Sequence, residues 1–221
     1  MHISNYIPKV KICCILSIEE ARIAIEVRAS AIGLVSEMPS GPGVITENQI
    51  REIAKNIPTS IDTFLLTSRQ SVEDIVKQHE CCQTTTIQFV DSIQPVVYKK
   101  LRLKLPGVKF VQVIHVIDED SIEEAKLVSP YVDAFLLDSG NPNLSVKELG
   151  GTGRVHNWNF SRKICESIGL PVFLAGGLNP DNVRKAVEKV KPYGLDICSG
   201  LRTNGKLDRQ KVNAFFTEIN N

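Results

Sequence analysis

The clearest signal of secondary structure in the sequence is Val172-Phe173-Leu174-Ala175-Gly176-Gly177-Leu178-Asn179-Pro180. Its apolar residues 172–175 predict a short buried strand, and the glycine pair that follows predicts a turn at the carboxyl end of that strand. Asn179 before Pro180 is typical of a helix start, with an N-cap and then proline in the first helical position. An apolar stripe within residues 183–190 predicts the helix itself. The stretch is therefore one βα unit.

The same unit recurs on both sides of this stretch. Near-continuous apolar runs predict strands at residues 10–15, 31–35, 61–67, 86–90, 109–115, 134–137, 172–175 and 195–198. Runs without polar alternation are expected of parallel strands that helices cover on one face. Eight such units in 221 residues predict a single (β/α)₈ TIM barrel domain that spans residues 1–221. A doubly wound open sheet is the alternative.

Two local signals refine the helices. Ser17 followed by Glu20 predicts a capping box at the first helix. The connection from Asp138 to Asn157 is the weakest in pattern, so we expect a long loop there and a helix near residues 159–168.

Composition and charge exclude several classes of protein. The chain has 26 Lys and Arg against 25 Asp and Glu, a formal net charge of +1, which argues against a nucleic-acid partner. No apolar run approaches the roughly 18 residues of a membrane span, and the first residues lack a signal-peptide pattern. We therefore expect a soluble, cytoplasmic protein with a full core and no membrane partner.

The six cysteines do not form a metal or disulfide pattern. They lie at positions 13, 14, 81, 82, 165 and 198, without C-x-x-C spacing. Neither a zinc site nor a disulfide framework is expected, and most of these residues are interpreted as buried small hydrophobes, with Cys81-Cys82 structural and one other thiol reactive.

Glycines follow three consecutive predicted strands. Gly150-Gly151-Thr152-Gly153 comes after the sixth, Gly176-Gly177 after the seventh, and Ser199-Gly200 after the eighth. Paired glycines let backbone amides approach an anion, and barrels commonly bind phosphate after strands seven and eight. Three such loops at adjacent positions predict a small phosphorylated ligand.

Two reactive side chains mark the opposite part of the rim. Cys13 falls late in the first predicted strand, and Asp138 directly follows the sixth. In a closed ring of eight strands these two are three steps apart, so their ends face a small substrate from two sides. A thiolate and a carboxylic acid placed in this way suit general base and general acid roles.

These residues together resemble the phosphoribosylanthranilate isomerase family. The resemblance runs from the first strand to the last, although residues 36–106 match poorly. It rests on Lys11-Ile12-Cys13, Leu136-Leu137-Asp138, the glycine cluster 150–153 with Trp158, the 174–180 stretch, Asp196 before Ser199-Gly200, and Lys206-Leu207-Asp208.

The resemblance implies a barrel enzyme of tryptophan synthesis that carries out an Amadori rearrangement of N-(5′-phosphoribosyl)anthranilate. It implies Asp138 as general acid with a raised pKa and Cys13 as general base with a lowered one, and no metal or organic cofactor. Length leaves a monomer or a homodimer open. The candidate phosphate- and substrate-binding residues are Lys11, Gly151, Gly153, Gly176, Gly177, Asp196, Ser199 and Gly200.

Four positions depart from the family pattern. Cys14 stands where glycine usually follows the catalytic cysteine, and residues 38–43 lack the arginine that binds the anthranilate carboxylate. Asp91 lies where the family has a histidine, and Arg202 where it often has glutamate. The acid, base and phosphate parts are therefore retained, while the parts that read the aromatic acid are altered.

Three functions remain open. The first is an active phosphoribosylanthranilate isomerase with a rearranged anthranilate pocket, in which Arg202 is a candidate partner for the carboxylate. The second is a paralogous isomerase that acts on a different phosphorylated aminosugar, which the altered loop 38–43 favours. The third is a non-catalytic phosphate-sugar binding barrel, against which the joint presence of Cys13 and Asp138 argues. His115 is interpreted as a satisfied rim residue.

Overall fold

Eight parallel strands form a closed barrel in the order of the chain, and β1 pairs with both β2 and β8. The computed structural model describes residues 6–220. The strands are β1 (Lys9–Ile12), β2 (Ala31–Val35), β3 (Asp62–Thr67), β4 (Thr86–Phe89), β5 (Lys109–His115), β6 (Ala134–Asp138), β7 (Val172–Leu174) and β8 (Gly194–Ile197). The predicted (β/α)₈ barrel is confirmed. The open sheet is wrong, because Lys11 is in register with Ala31 on one side and Asp196 on the other.

One helix follows each strand. The helices are α1 (Ile18–Glu26), α2 (Glu47–Lys55), α3 (Val72–Cys82), α4 (Pro95–Lys104), α5 (Asp120–Val128), α6 (Trp158–Ser167), α7 (Val183–Val190) and α8 (Arg209–Asn220). The short β9 (Arg202–Thr203) and β10 (Lys206–Leu207) form an antiparallel hairpin before α8 that the sequence did not predict. No helix within residues 6–220 is long and apolar enough to cross a membrane.

Apolar side chains fill two layers, one between strands and helices and one inside the barrel. Ile12, Ile32 and Leu65 are fully buried in the outer layer. Phe64 and Phe173 meet edge to face in the inner layer, with ring centroids 6.1 Å apart. Each such buried side chain contributes about 1.5–3 kcal/mol. The carboxyl ends of the strands are therefore held on a rigid scaffold.

The first strand is shorter than predicted. It ends at Ile12 rather than at residue 15, so Cys13 lies one residue beyond it. The cause is Cys14, whose φ of 61° is left-handed and cannot continue an extended strand.

One predicted helix start and one predicted capping box need correction. The side-chain oxygen of Asn179 accepts hydrogen bonds from the amides of Asp181 and Asn182, at 2.9 and 3.2 Å. This turn delays α7, which begins after Asn182 instead of at Pro180.

At α1, Ser17 accepts from the Glu20 amide as predicted, but Glu20 accepts from the Leu16 amide rather than from Ser17. The capping box is therefore incomplete. The Glu20 carboxylate accepts hydrogen bonds from Arg202 and from the Leu207 amide instead. These bonds connect α1 to the β9–β10 hairpin.

Candidate active site

A cavity opens at the carboxyl ends of the strands and has a volume of about 680 Å³, its open mouth included. Most of the site residues expected from sequence line it together: Cys13, Asp138, Gly151, Gly153, Gly176, Gly177, Asp196 and Ser199.

Asp138 has one carboxylate oxygen bound to a backbone amide and one without a hydrogen-bond donor in the described residues. It is the last residue of β6, and its Oδ1 accepts a hydrogen bond from the Ser139 amide at 2.7 Å. A Cβ at Gly150 would lie 2.7 Å from Oδ2, so this oxygen packs against the backbone of Gly150 in the space that a side chain would fill. Within residues 6–220, no donor is bonded to Oδ2.

Cys13 lies beside a buried ammonium group. A Cβ at Gly33 of β2 would lie 2.7 Å from Cys13 Sγ and 2.9 Å from Lys11 Nζ, so both groups occupy the space that this glycine leaves. Lys11 is fully buried and donates to Asp196 Oδ1 at 2.7 Å. Burial alone would lower the pKa of Lys11, but the Asp196 carboxylate and the Cys13 thiol outweigh burial and raise it. Lys11 is therefore a cation, and it lies next to the Cys13 sulfur.

Gly153, Gly176, Gly177 and Ser199 form one side of the cavity, here called the glycine wall. A Cβ at Gly153 would lie 3.6 Å from Ser199 Oγ, so the loops after β6 and β8 face each other. Gly177 has a φ of 63°, and a Cβ there would lie 2.8 Å from the carbonyl carbon of Arg154. The loop after β7 thus packs backbone to backbone against the loop after β6. Amides and a hydroxyl brought together in this way are donors suited to a phosphate.

Two expected site residues lie outside the lining. Lys11 is below the cavity, where Asp196 binds it. Gly200 belongs to the 3₁₀ turn Ser199–Leu201, where the Leu178 carbonyl packs against its α-carbon. Both contribute to the site by supporting residues that line it.

Comparison with known proteins identifies the family. The family model for N-(5′-phosphoribosyl)anthranilate isomerase matches residues 10–218. This chain belongs to that isomerase family. The isomerase of Methanocella arvoryzae is 34% identical over 96% of this chain and 97% of its own, and isomerase 2 of Methanosarcina mazei is 36% identical over 96% and 94%. The solved structure of the Pyrococcus furiosus isomerase has a TM-score of 0.79 and 27% identity over 96% of this chain and 98% of its own.

In this phosphoribosylanthranilate isomerase family member, another part of the cavity lining comes from residues 38–43, here called the β2 loop, in which Pro42 packs against Gly151 of the loop after β6. Met38, Ser40, Gly41 and Pro42 line the cavity, and Ser40 Oγ donates to the Lys147 carbonyl at 2.6 Å. None of the lining residues, all of them in the described part of the chain, is an arginine or a lysine. The cavity lining therefore contains carboxylates and thiols but no cationic side chain.

One ion pair, between Asp91 and Lys147, lies near the β2 loop. Asp91 follows the lining residue Val90 and accepts from Lys147 Nζ at 2.5 Å. His115, the last residue of β5, contacts the Val90 carbonyl through Nε2 at 2.9 Å and is not in the lining. The aspartate that departs from the isomerase pattern therefore forms an ion pair with the loop after β6.

Arg202 is not available as the carboxylate partner that its sequence position offered. Its guanidinium binds Glu20 at 2.9 Å and donates to the carbonyls of Cys14 and Gly205. Only 9% of its side chain is exposed. Arg202 therefore joins α1, the β9–β10 hairpin and the loop after β1 instead of reaching into the cavity.

Sequence reasoning missed two polar side chains next to the glycine wall. His156 Nε2 lies 2.6 Å from Ser161 Oγ, and a Cβ at Gly176 would lie 3.0 Å from its Nδ1. Burial lowers the pKa of His156 to about 4, with a small opposing contribution from Asp138. Cys198 lines the cavity at the end of β8. A single histidine in a long loop and a cysteine after a strand carry no motif that would have singled them out in this isomerase.

Proposed function

We propose that this isomerase converts N-(5′-phosphoribosyl)anthranilate, an aminoaldose, into the corresponding aminoketose, an Amadori rearrangement of tryptophan biosynthesis. The observation that carries the proposal is that Cys13 and Asp138 line one cavity from strands three steps apart. The glycine wall comes from the loops after β6, β7 and β8, which lie between acid and base around the barrel. Membership of the isomerase family supports the same reaction.

Asp138 acts first, as the general acid. It gives the proton on Oδ2 to the ring oxygen of the ribose, the bond between that oxygen and C1 breaks, and the sugar opens to a Schiff base with the anthranilate nitrogen. The Ser139 amide on Oδ1 keeps the carboxyl group in one orientation. Position is what makes a general acid effective, because it must lie within hydrogen-bond reach of the atom it protonates.

Cys13 acts second, as the general base. Its thiolate removes the proton from C2 of the open sugar, and the electron pair moves toward the iminium nitrogen to give an enolamine. The enolamine then tautomerises to the ketone. Lys11 supports the anionic form of Cys13 from below, and Asp196 holds Lys11 in place.

The glycine wall binds the phosphate of the substrate. Backbone amides and the Ser199 hydroxyl supply hydrogen bonds without a dedicated cation, which is common for phosphate after the last strands of a barrel. A phosphate anchored there fixes the distance of C2 and of the ring oxygen from the two reacting groups. Binding energy remote from the reacting atoms is thereby used for orientation.

A second function is favoured by one observation. The cavity lining has neither arginine nor lysine, and Arg202 is bound to Glu20. A carboxylate without a charged partner loses a hydrogen bond of the stronger kind, about 1.5–3 kcal/mol. The alternative is therefore the same acid–base chemistry on a phosphorylated aminosugar that lacks the aromatic carboxylate.

The deciding experiment follows the fall in anthranilate fluorescence when the purified protein receives phosphoribosylanthranilate made in situ. Turnover by the wild type is expected, and Cys13→Ala and Asp138→Asn are each expected to lower kcat by about 10²–10⁴-fold. Binding of a phosphate sugar should persist in both variants, since the glycine wall is unchanged.

Matched controls are Cys81→Ala, at the end of α3, and Asp62→Asn, at the amino end of β3. Both change the same residue types far from the cavity and should leave kcat as it is. A wild type that binds phosphate sugars but never turns over this substrate would refute the proposal, and turnover of another phosphorylated aminosugar would then establish the alternative.

A further inference from the structure

Cys14 adopts a backbone conformation that disfavours it. Its φ is 61°, in the left-handed region, where residues other than glycine are strained. Gly43 of the β2 loop packs closely against this residue: a Cβ at Gly43 would lie 2.5 Å from Cys14 Cβ. Arg202 holds the carbonyl of Cys14. A cysteine kept in such a position by its surroundings is a candidate for a function of its own.

Cys198 lies beside this residue in the barrel. Ile12 of β1 is in register with Ile197 of β8, and the Cys13 amide donates to the Ile197 carbonyl at 2.8 Å. Because adjacent strands are about 4.8 Å apart, the residues that follow, Cys13-Cys14 and Cys198, emerge next to each other. All three line the cavity, and the thiols of Cys14 and Cys198 each shift the pKa of the other.

The charges around the pair make its two thiols unequal. The hydrogen bond from Cys14 and the guanidinium of Arg202 lower the pKa of Cys198, against burial and the Asp196 carboxylate. Hydrogen bonds with Cys13 and Cys198, together with burial, raise the pKa of Cys14. The proton therefore stays on Cys14 and the thiolate character on Cys198. Cys14 and Arg202, two departures from the family pattern, thus both lower the pKa of the Cys198 thiol.

We propose that Cys198 and Cys14 form a peroxide-sensitive thiol pair that closes to a reversible disulfide in the cavity. The Cys198 thiolate attacks one oxygen of hydrogen peroxide, the O–O bond breaks, and the products are a sulfenic acid and hydroxide, which takes up a proton. The Cys14 sulfur then attacks the Cys198 sulfur, the S–O bond breaks, and the Cys14 proton leaves with the hydroxyl group as water. Two thiols and one peroxide become one disulfide and two waters.

The disulfide would act directly on the site. Cys14 follows Cys13 directly in the chain. A cross-link from Cys14 to Cys198 therefore restrains the backbone that carries the Cys13 thiol, and it removes two thiols from the lining. Isomerase activity is expected to fall on oxidation and to return with dithiothreitol.

The test reads the chemistry rather than the turnover. Native protein is treated with hydrogen peroxide, remaining thiols are alkylated, and the digest is analysed by mass spectrometry. The expected product is a Cys14–Cys198 cross-linked peptide that dithiothreitol removes. In Cys14→Ser, a dione probe is expected to trap sulfenic acid at Cys198, whereas Cys198→Ser should yield neither this cross-link nor sulfenic acid at Cys14.

Cys81→Ser is the matched control, because this thiol lies at the end of α3, away from the cavity, and it should leave the cross-link unchanged. Oxidation that joins Cys13 to Cys14, or that reaches Cys81 and Cys165 while Cys198 stays reduced, would overturn the proposal. A cross-link in a protein that never turns over phosphoribosylanthranilate would leave it standing and remove only the proposed substrate.

Discussion

The two sides of the cavity are built on different principles. On the side of Cys13, Asp138 and the glycine wall, the central ion pair is Lys11 with Asp196, whose side chains are 0% and 9% exposed. On the side of the β2 loop, the pair is Lys147 with Asp91, and 42% of the lysine is exposed. The first pair lies inside the barrel and the second links two loops at its rim.

In the proposed function, the buried side of the cavity carries out the proton transfers and the side of the β2 loop recognises the substrate. Protonation and proton abstraction need groups held within a fraction of an ångström, which a rigid barrel end provides. The part that distinguishes one aromatic or sugar substrate from another is placed on loops that tolerate change. Substitutions on the buried side should therefore have large effects, and those near the β2 loop small ones.

The largest effect is expected at Lys11. Lys11→Met leaves the Asp196 carboxylate buried without its partner, and breaking one half of a buried pair costs about 3–5 kcal/mol of the free energy of unfolding. Urea unfolding measures this loss. Because Lys11 also lies beside Cys13, turnover should fall in the same variant.

A double-mutant cycle is the control for that prediction. Asp196→Asn alone leaves the Lys11 ammonium unpaired, and the double variant removes both charges. Its loss of stability should be smaller than the sum of the two single losses. Additive losses would show that the two side chains do not stabilise each other.

The second effect concerns His156, whose pKa is about 4 in the folded protein against about 6.5 when exposed. Below pH 6.5 the unfolded chain binds a proton that the folded chain refuses until about pH 4. The stability contributed by His156 is therefore complete above 6.5 and lost as the pH falls through this window, by up to about 3 kcal/mol.

Urea unfolding of the wild type and of His156→Gln at pH 7.0 and 4.5 measures this contribution. The variant should lose less stability on acidification than the wild type does. His79→Gln, which changes a histidine at the end of α3, should keep the wild-type dependence. An equal loss of stability between pH 7.0 and 4.5 in all three proteins would show that His156 does not cause the pH dependence.

The barrel could be predicted because its signals are repeated. Each strand is a short apolar run, and eight runs at regular spacing leave few alternatives. Element ends were less predictable, since they depend on single contacts: the Asn179 side chain delayed α7, and the left-handed Cys14 ended β1 early. Neither event leaves a pattern in the composition.

The site was predictable to the extent that strand ends are. Cys13, Asp138 and the glycines after β6, β7 and β8 reach one cavity because the closed barrel brings the strand ends together. Pairings between distant loops were not predictable. The partner of Arg202 is Glu20, in another helix, and the partner of Asp91 is Lys147, in the longest loop.

The third effect compares two glycines of the glycine wall. Gly177→Ala places a methyl group 2.8 Å from the Arg154 backbone at a φ of 63°, whereas Gly153→Ala places one 3.6 Å from Ser199 Oγ at a φ of 68°. Left-handed strain, about 1–2 kcal/mol, applies to both. The clash applies only to Gly177→Ala. The free energy of unfolding of this variant should therefore fall further, with a loss of about 3 kcal/mol, in the range for overpacking. Equal losses by urea unfolding would show that the contact between the loops after β6 and β7 yields freely.

The smallest effect is expected near the β2 loop, and its sign is informative. The Lys147 side chain is 42% exposed and that of Asp91 10%. Lys147→Gln leaves the Asp91 carboxylate without its partner beside Val90, where it repels the carboxylate of the substrate. KM for phosphoribosylanthranilate should therefore rise by about two- to fivefold. Asp91→Asn frees the Lys147 ammonium and should lower KM by a similar factor. Raising the salt concentration should shrink both changes, because exposed charges are screened. Unchanged kcat in both variants would keep this side of the cavity out of the chemistry, whereas KM shifts of the same sign would show that packing, and not charge, governs the β2 loop.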